Sequence, residues 1–147
     1  MTIRFYLVRH GRAEARHPRG DIARRLLPAG RAAFAAHARA LASELGLMRI
    51  LTSRFARARE TAGLLADATG APVEDEDALA SGVSDGQAVL RLGRRLGDGA
   101  ALVGHNPELA EAIALAAGRE LDAPPGSVAA IDADENGFRL AWVRAPG

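Results

Sequence analysis

Two histidines and an arginine in this sequence stand where apolar segments end, a position from which they could act on an anionic group. Arg9 and His10 close the first apolar run of the chain, and His105 directly follows the run Ala100–Gly104. A guanidinium binds phosphate or carboxylate oxygens through a fixed fork of donors, and imidazole is the side chain best suited to act near neutral pH. Gly11 follows His10, and a glycine there lets the backbone turn sharply and approach a ligand closely.

Strand-like and helix-like segments alternate along the chain, and this alternation indicates the fold class. The predicted strands cover residues 3–8, 48–52, 72–74 and 100–104, followed by a terminal hairpin with an Asn-Gly turn at residues 128–132 and 138–143. The predicted helices cover residues 29–45, 56–68, 85–96 and 107–117. Asn106 is expected to cap the last helix, with Pro107 at its first position. We therefore expect one α/β domain that spans residues 1–147.

The polar ends of three predicted strands should meet, because the carboxyl ends of parallel strands lie along one edge of an open α/β sheet. His10 and His105 follow two of these strands. The third strand ends at Ser53 and leads into a helix with three arginines in its first turns, Arg54, Arg57 and Arg59. Helix N-termini also favour anions. The sequence therefore predicts a pocket for a dianion such as a phosphoryl group.

Composition narrows the class of protein. The chain has no cysteine, which excludes disulfides and thiolate metal sites. It has neither a long apolar span nor a basic segment followed by an apolar leader. From these features we expect no membrane segment, no secretory signal and a cytoplasmic location.

Positive charge is concentrated in the first part of the chain. Residues 1–60 hold 13 arginines and 4 acidic residues, whereas residues 61–147 hold 6 arginines and 14 acidic residues. One interpretation is an anion-attracting face built by the first part of the chain. The other is codon preference, which explains why all 19 basic residues are arginine but not why they are segregated. Nucleic-acid binding is disfavoured, because the arginines are not interleaved with a set of aromatic stacking residues.

Three short segments, in the same order along the chain, carry a resemblance to a known family. Arg9-His10-Gly11 ends the first strand, residues 53–61 have the pattern Ser-x-x-x-Arg-Ala-x-x-Thr, and residues 103–107 read Val-Gly-His-Asn-Pro. In these segments the chain resembles the histidine phosphatase superfamily, which includes the phosphoglycerate mutases. Residues 21–30 match more loosely the family's Asp-x-x-Arg-Pro-Leu-Thr-x-x-Gly entry to the first helix, with Leu27 in place of a capping threonine.

The resemblance implies both a fold and a mechanism. The fold is a three-layer α/β/α sandwich around a mixed, mostly parallel sheet with a terminal antiparallel hairpin. In the mechanism, His10 attacks phosphorus and becomes phosphohistidine, which divides one hard displacement into two easier ones. Three side chains would hold the phosphoryl oxygens and stabilise the transition state, namely Arg9, Arg57 and His105. No metal ion and no other cofactor is implied, because the arginines carry the charge that a magnesium ion would neutralise.

The proton donor and the pocket rim are less well defined by the resemblance. Many family members place a carboxylate after the third strand, where it protonates the leaving group. The matching position here is Ala78, so the candidates for the general acid are the two residues just before it, Glu76 and Asp77. Gly11 and Arg24 are expected at the pocket rim.

Chain length indicates which members of the family are most similar. The chain lacks the long insertions of the mutases and most resembles short SixA-type enzymes, which dephosphorylate histidine on signalling proteins. The implied partner is therefore a phosphorylated protein, with inorganic phosphate as product and with neither nucleic acid nor a membrane involved. Two alternatives stay open at this point. One is a small-molecule phosphomonoesterase, and the other is a non-catalytic module that binds phosphate or phosphoproteins.

Overall fold

The computed structural model describes residues 1–147 and contains six strands and four α-helices. The strands are β1 (Ile3–Arg9), β2 (Arg49–Thr52), β3 (Val73–Asp75), β4 (Ala100–Gly104), β5 (Val128–Asp134) and β6 (Gly137–Arg144). The helices are α1 (Pro28–Leu45), α2 (Ala56–Thr69), α3 (Gly86–Leu96) and α4 (Glu108–Ala117), with short 3₁₀ turns at Asp21–Ala23 and Asp77–Leu79. None of the helices combines the length and the hydropathy needed to span a membrane.

The six strands form one mixed sheet in the order β3-β2-β4-β1-β5-β6. The first four strands in this order are parallel, and β5 and β6 are antiparallel additions next to β1. Strands β4 and β1 lie in the middle, so their carboxyl ends are adjacent. The predicted mixed sheet with its terminal antiparallel hairpin is therefore confirmed, and so is the edge at which His10 and His105 were expected to meet.

Helices cover both faces of the sheet. The apolar run of β1 is continuous, so it places apolar side chains on both of these faces. Phe5 and Leu7 belong to the apolar core that includes α3 and α4, whereas Tyr6 and Val8 belong to the core that includes α1 and α2. Successive side chains of a strand point to opposite faces, so a continuous apolar run indicates a strand that is buried on both sides. The three-layer arrangement follows directly from this run.

Three helix starts differ from the prediction by one residue, and that of α3 is Gly86 rather than Asp85. Helix α1 begins at Pro28, after Leu27, whose side chain accepts no capping hydrogen bond. Helix α4 begins at Glu108 rather than at Pro107. Asn106 still serves the helix, because its Oδ1 accepts the backbone N–H of Ala110 at 3.1 Å. A cap residue fixes the position of a helix start only to within about one residue, since its side chain can reach more than one N–H.

Residues 12–27, which we call the site loop, are held more firmly than a long loop usually is. Ala13 and Leu26 pair as an antiparallel bridge, and the 3₁₀ turn Asp21–Ala23 lies between them. Glu60 of α2 accepts the Leu26 backbone N–H at 2.7 Å. Gly30 in the first turn of α1 has no room for a Cβ, because the Arg12 carbonyl lies against it. These contacts fix the loop beside the N-terminus of α2.

Candidate active site

His10 follows the last residue of β1, where its backbone N–H donates to the Gly104 carbonyl of β4 at 3.1 Å. Its ring Nδ1 lies 2.7 Å from the carbonyl oxygen of Gly11. Because a carbonyl oxygen can only accept, Nδ1 must carry the hydrogen of this bond. The lone pair of the imidazole is then on Nε2. The backbone therefore sets the tautomer that a nucleophilic histidine requires.

Gly11 is held from the side of α2. Its N–H donates to Thr61 Oγ1 at 3.0 Å, and the same hydroxyl donates to the Arg57 carbonyl at 2.8 Å. Gly11 was expected at the rim because glycine permits a sharp turn. In the structure it is buried and adopts no positive φ. Its backbone carbonyl and N–H orient His10 and connect it to the helix that carries Arg57.

His105 follows β4 and lies beside His10, with 5.3 Å between the ring centroids. It is almost fully buried, and its Nε2 lies 2.8 Å from Ser53 Oγ. Ser53 Oγ also accepts the Phe55 N–H at 3.2 Å, so its own hydroxyl hydrogen is available for His105 Nε2. With this hydrogen donated to Nε2, the ring hydrogen of His105 lies on Nδ1, which makes this nitrogen a donor.

Arg57 is the second residue of α2, and its side chain is only 5% exposed. Nη1 donates to the Asp21 carbonyl at 2.8 Å, and Nη2 donates to Asp21 Oδ2 at 3.3 Å. The guanidinium carbon lies 5.0 Å from the ring centre of Phe55, whose edge also contacts His105. Arg9 is half-buried, and its Nη1 donates to the Ala123 carbonyl at 2.9 Å.

The environment keeps both imidazoles neutral near pH 7. Burial lowers the pKa of His10 to about 4, assisted by the positive charges of Arg57, Arg9 and Arg24 and opposed by the hydrogen bond to Gly11. Burial likewise lowers the pKa of His105 to about 3, with His10 and Arg57 adding to the effect. A neutral His10 retains the lone pair that nucleophilic attack needs.

Burial also lowers the pKa of the two predicted phosphate-binding arginines, Arg9 and Arg57. An arginine starts from so high a pKa that both groups stay cationic. Four buried side-chain polar atoms have no hydrogen-bond partner within the protein, namely Arg9 Nε, Arg57 Nε, His105 Nδ1 and Glu108 Oε1. Three of the four are N–H donors on the side chains predicted to bind phosphate. Buried donors usually have partners, so such a group indicates an anion-binding site.

Asp21 and Phe55 are two site residues to which sequence reasoning assigned no role. Phe55 packs against both His105 and Arg57, and Asp21 accepts two hydrogen bonds from Arg57. Both lie inside segments that match the family patterns, which was the available signal. Arg24, predicted at the rim, also contacts Asp21, because its Nη1 donates to Oδ1 at 2.8 Å.

The two candidate general acids lie beyond β3 and make other contacts. Glu76 accepts the backbone N–H of Ala78 at 3.2 Å, and Asp77 accepts from Arg54 Nε at 2.7 Å. Neither carboxylate is hydrogen-bonded to His10 or to any of the three predicted phosphate ligands. No three His, Asp or Glu side chains are grouped so that they could hold a metal ion.

Comparison with known proteins identifies the family. The model of the histidine phosphatase superfamily (branch 1) matches residues 5–88, which is more than half of the chain. The chain therefore belongs to this superfamily, and its enzyme class is that of a phosphatase. Both the predicted family and the predicted class are confirmed. A comparison with curated proteins gave no match.

Solved structures agree with this assignment. A proposed phosphohistidine phosphatase, SixA from Agrobacterium tumefaciens, is 27% identical with a TM-score of 0.84, over 98% of both chains. The protein histidine phosphatase SixA complexed with tungstate is 20% identical with a TM-score of 0.84, over 98% of this chain and 97% of that one. A proposed alpha-ribazole-5'-P phosphatase from Escherichia coli is 20% identical with a TM-score of 0.76, over 99% of both chains. The last two likenesses are evidence for the fold alone.

Proposed function

We propose that this phosphatase hydrolyses phosphohistidine in proteins through a phosphohistidine intermediate on His10, without a metal ion or an organic cofactor. The observation that carries the proposal is the set of three buried N–H groups without protein partners on Arg9, Arg57 and His105. They belong to the side chains around an imidazole whose tautomer leaves Nε2 unprotonated. We further propose that residues 1–147 act as one domain, since β1 and β6 belong to one sheet.

In the first step, the lone pair on His10 Nε2 forms a bond to phosphorus while the bond from phosphorus to the substrate imidazole breaks. The electron pair of the broken bond stays on the substrate nitrogen, which is protonated as it leaves. Arg9, Arg57 and the Nδ1–H of His105 donate to the non-bridging oxygens, where fixed donors stabilise the charge of the transition state.

In the second step, water attacks phospho-His10. A new oxygen–phosphorus bond forms, the bond from phosphorus to Nε2 breaks, and the electron pair returns to Nε2 as the water loses a proton. Inorganic phosphate then leaves, and His10 is again neutral. The low pKa of His10 favours this return, because a free imidazole in this site does not retain a proton at pH 7.

The contacts of the two candidate acids agree with an imidazole as the leaving group. An imidazole needs less acid assistance than an alkoxide, so hydrolysis of phosphohistidine does not require a dedicated donor. Glu76 and Asp77 are bound elsewhere, and we propose for them a role only with phosphomonoesters, after a change of side-chain conformation. A poorly defined acid thus favours phosphohistidine over phosphate esters as the substrate.

The exposed arginines beside the site favour a protein substrate over a small one. One cavity, of about 900 Å³, lies between α3 and α4, and another, of about 510 Å³, lies beside the C-terminus. Neither cavity is lined by His10 or His105. The site loop adds three exposed arginines without ion pairs, Arg12, Arg16 and Arg19. A site with a basic margin suits a phosphorylated side chain on an acidic protein surface.

The test compares two synthetic phosphohistidine peptides with p-nitrophenyl phosphate, all in the presence of EDTA. One peptide carries glutamates beside the phosphohistidine, and the other carries glutamines. We expect phosphate release from both peptides, faster from the acidic one at low salt, and a rate loss of at least about 10³-fold in His10→Ala because the nucleophile is gone. The intermediate is checked by mass spectrometry of phospho-His10 after rapid acid-free quenching.

Each alternative has its own outcome. Hydrolysis of p-nitrophenyl phosphate but of neither peptide would indicate a small-molecule phosphomonoesterase, the class suggested by the likeness to the proposed alpha-ribazole-5'-P phosphatase. Phosphate binding with no turnover of any of the three compounds would contradict the proposed activity and favour the binding module. Turnover that EDTA abolishes would contradict the metal-independent mechanism.

A further inference from the structure

Asp21 bridges two arginines at the edge of the phosphoryl site. Its Oδ1 accepts from Arg24 Nη1 at 2.8 Å, and its Oδ2 accepts from Arg57 Nη2 at 3.3 Å. The Asp21 backbone carbonyl accepts a second hydrogen bond from Arg57, at 2.8 Å. Arg24 is held from its other side by the Glu14 carbonyl. One residue of the site loop therefore contacts both guanidinium groups, and Glu14 adds a second contact to that of Arg24.

The contacts of Asp21 select which donors of Arg57 face a ligand. Asp21 uses one N–H on Nη1 and one on Nη2. The Nε–H of Arg57 is left buried and without a protein partner. Phe55 packs against the guanidinium and limits its rotation. With one edge of the fork bound by Asp21, the remaining donors have one available direction, which is what a preorganised phosphate site needs.

Asp21 also completes the charge balance of the site. Three guanidinium groups, those of Arg9, Arg24 and Arg57, act on the pKa of His10. A phosphate dianion neutralises two of these positive charges, and the carboxylate of Asp21 neutralises the third. The hydrogen bond from Arg24, together with the charge of Arg57, lowers the pKa of Asp21, so the carboxylate is ionised at pH 7.

We propose that Asp21 is a positioning residue of the phosphoryl site, which holds Arg24 and Arg57 in one arrangement and whose negative charge weakens the binding of the phosphate product. The inference rests on the proposed function for the location of the phosphoryl site. A site with three arginines and no carboxylate would bind phosphate tightly and release it slowly. Asp21 thus lowers the affinity for phosphate and makes turnover faster.

The experiment measures the dissociation constants of inorganic phosphate and tungstate by isothermal titration calorimetry, and kcat and KM with p-nitrophenyl phosphate. Asp21→Asn removes the charge with little change of shape, and Asp21→Glu retains it. Asp21 is 58% exposed on a surface loop, so neither change threatens folding. The control is Asp132→Asn, which removes the same charge from the ion pair between Asp132 and Arg4, at the opposite end of β1.

In Asp21→Asn we expect both anions to bind roughly three- to tenfold more tightly, because one partly screened negative charge is gone. KM should fall with kcat, since product release becomes slower. Asp21→Glu should be close to the wild type, and Asp132→Asn should leave anion binding unchanged.

Unchanged or weaker anion binding in Asp21→Asn would overturn the inference, and so would an equal gain in Asp132→Asn. A merely structural role would raise KM and lower the melting temperature instead. Binding of phosphate and tungstate does not depend on which substrate is hydrolysed. The result therefore stands apart from the peptide experiment, in which the proposed substrate class can fail on its own.

Discussion

The two ends of β1 each carry an arginine, and the structure surrounds the two side chains differently. Near the first end, Arg4 donates through Nε and Nη2 to both carboxylate oxygens of Asp132, at 2.7 and 2.9 Å. At the other end, Arg9 donates one hydrogen bond to the Ala123 carbonyl and has a buried Nε without a partner. The hydrogen bond with Asp132 raises the pKa of Arg4, whereas burial lowers the pKa of Arg9.

This difference separates an arginine in an ion pair from one that we propose binds phosphate. Arg4 is paired with a carboxylate and has no buried donor left without a partner. An unpartnered buried donor such as the one on Arg9 costs about 1–3 kcal/mol of stability. Arg57 and His105 also have a buried nitrogen without a partner, so the loss of stability is concentrated at the carboxyl edge of the sheet. Substitutions at the two ends should therefore affect different measurements.

The largest effect should come from the functional end, through Arg57→Ala. We expect kcat/KM for p-nitrophenyl phosphate to fall by about 10²–10³-fold, because one buried donor to the phosphoryl oxygens is lost. Arg59→Ala is the matched control, since Arg59 lies two residues further along α2 and pairs with Asp75. Its kcat/KM should stay within about twofold of the wild type, as is usual for a surface pair. An equal loss in both variants would mean that general charge, not the placement of Arg57, supports catalysis.

Much of the fold could be predicted because the strands are short, apolar and clearly bounded. A continuous apolar run such as residues 5–8 predicts a strand buried on both faces, and the structure confirms it. Helix starts were less certain, since α1 and α4 have no side-chain cap at the residue where they begin. At α4 the helix was expected to begin directly after its cap, Asn106. It begins one residue later, because the Asn106 side chain can reach past Pro107.

The four principal site residues could be located because each stands at a strand end or in the first turn of a helix. His10 and His105 meet since β1 and β4 are neighbours in the sheet. Asp21 could not be assigned in this way, because its contact with Arg57 joins two segments 36 residues apart through an irregular loop. No period or cap pattern specifies such a contact. The general acid stays a prediction for the same reason.

A smaller effect should appear in the pH dependence of stability. The pKa values of His10 and His105 are lowered to about 4 and about 3, whereas an unfolded histidine titrates near 6.5. As pH falls below about 6.5 the unfolded chain binds protons that the folded site does not bind, so the free energy of unfolding decreases. We expect a loss on the order of a few kcal/mol between about pH 6.5 and 4.

Two measurements check this prediction. Urea unfolding at a series of pH values should give a slope that is smaller in His10→Asn and in His105→Asn than in the wild type. Nuclear magnetic resonance of the histidine Cε1–H groups should show both rings neutral at pH 5.5. Midpoints near 6.5 for both rings would contradict the prediction, and the proposed neutral nucleophile would then need another explanation.

The smallest effect is expected at the stabilising end of β1. The Arg4 and Asp132 side chains are 40% and 22% exposed, so solvent screens their attraction. A double-mutant cycle with Arg4→Gln and Asp132→Asn should give a coupling of about 0.5–1 kcal/mol that decreases with added salt, and kcat/KM should change by less than about twofold. Zero coupling would show that even a bidentate pair at this exposure adds nothing. A clear loss of activity in either variant would mean that the two ends of β1 are linked through the strand, and that the division between stabilising and functional arginines does not hold.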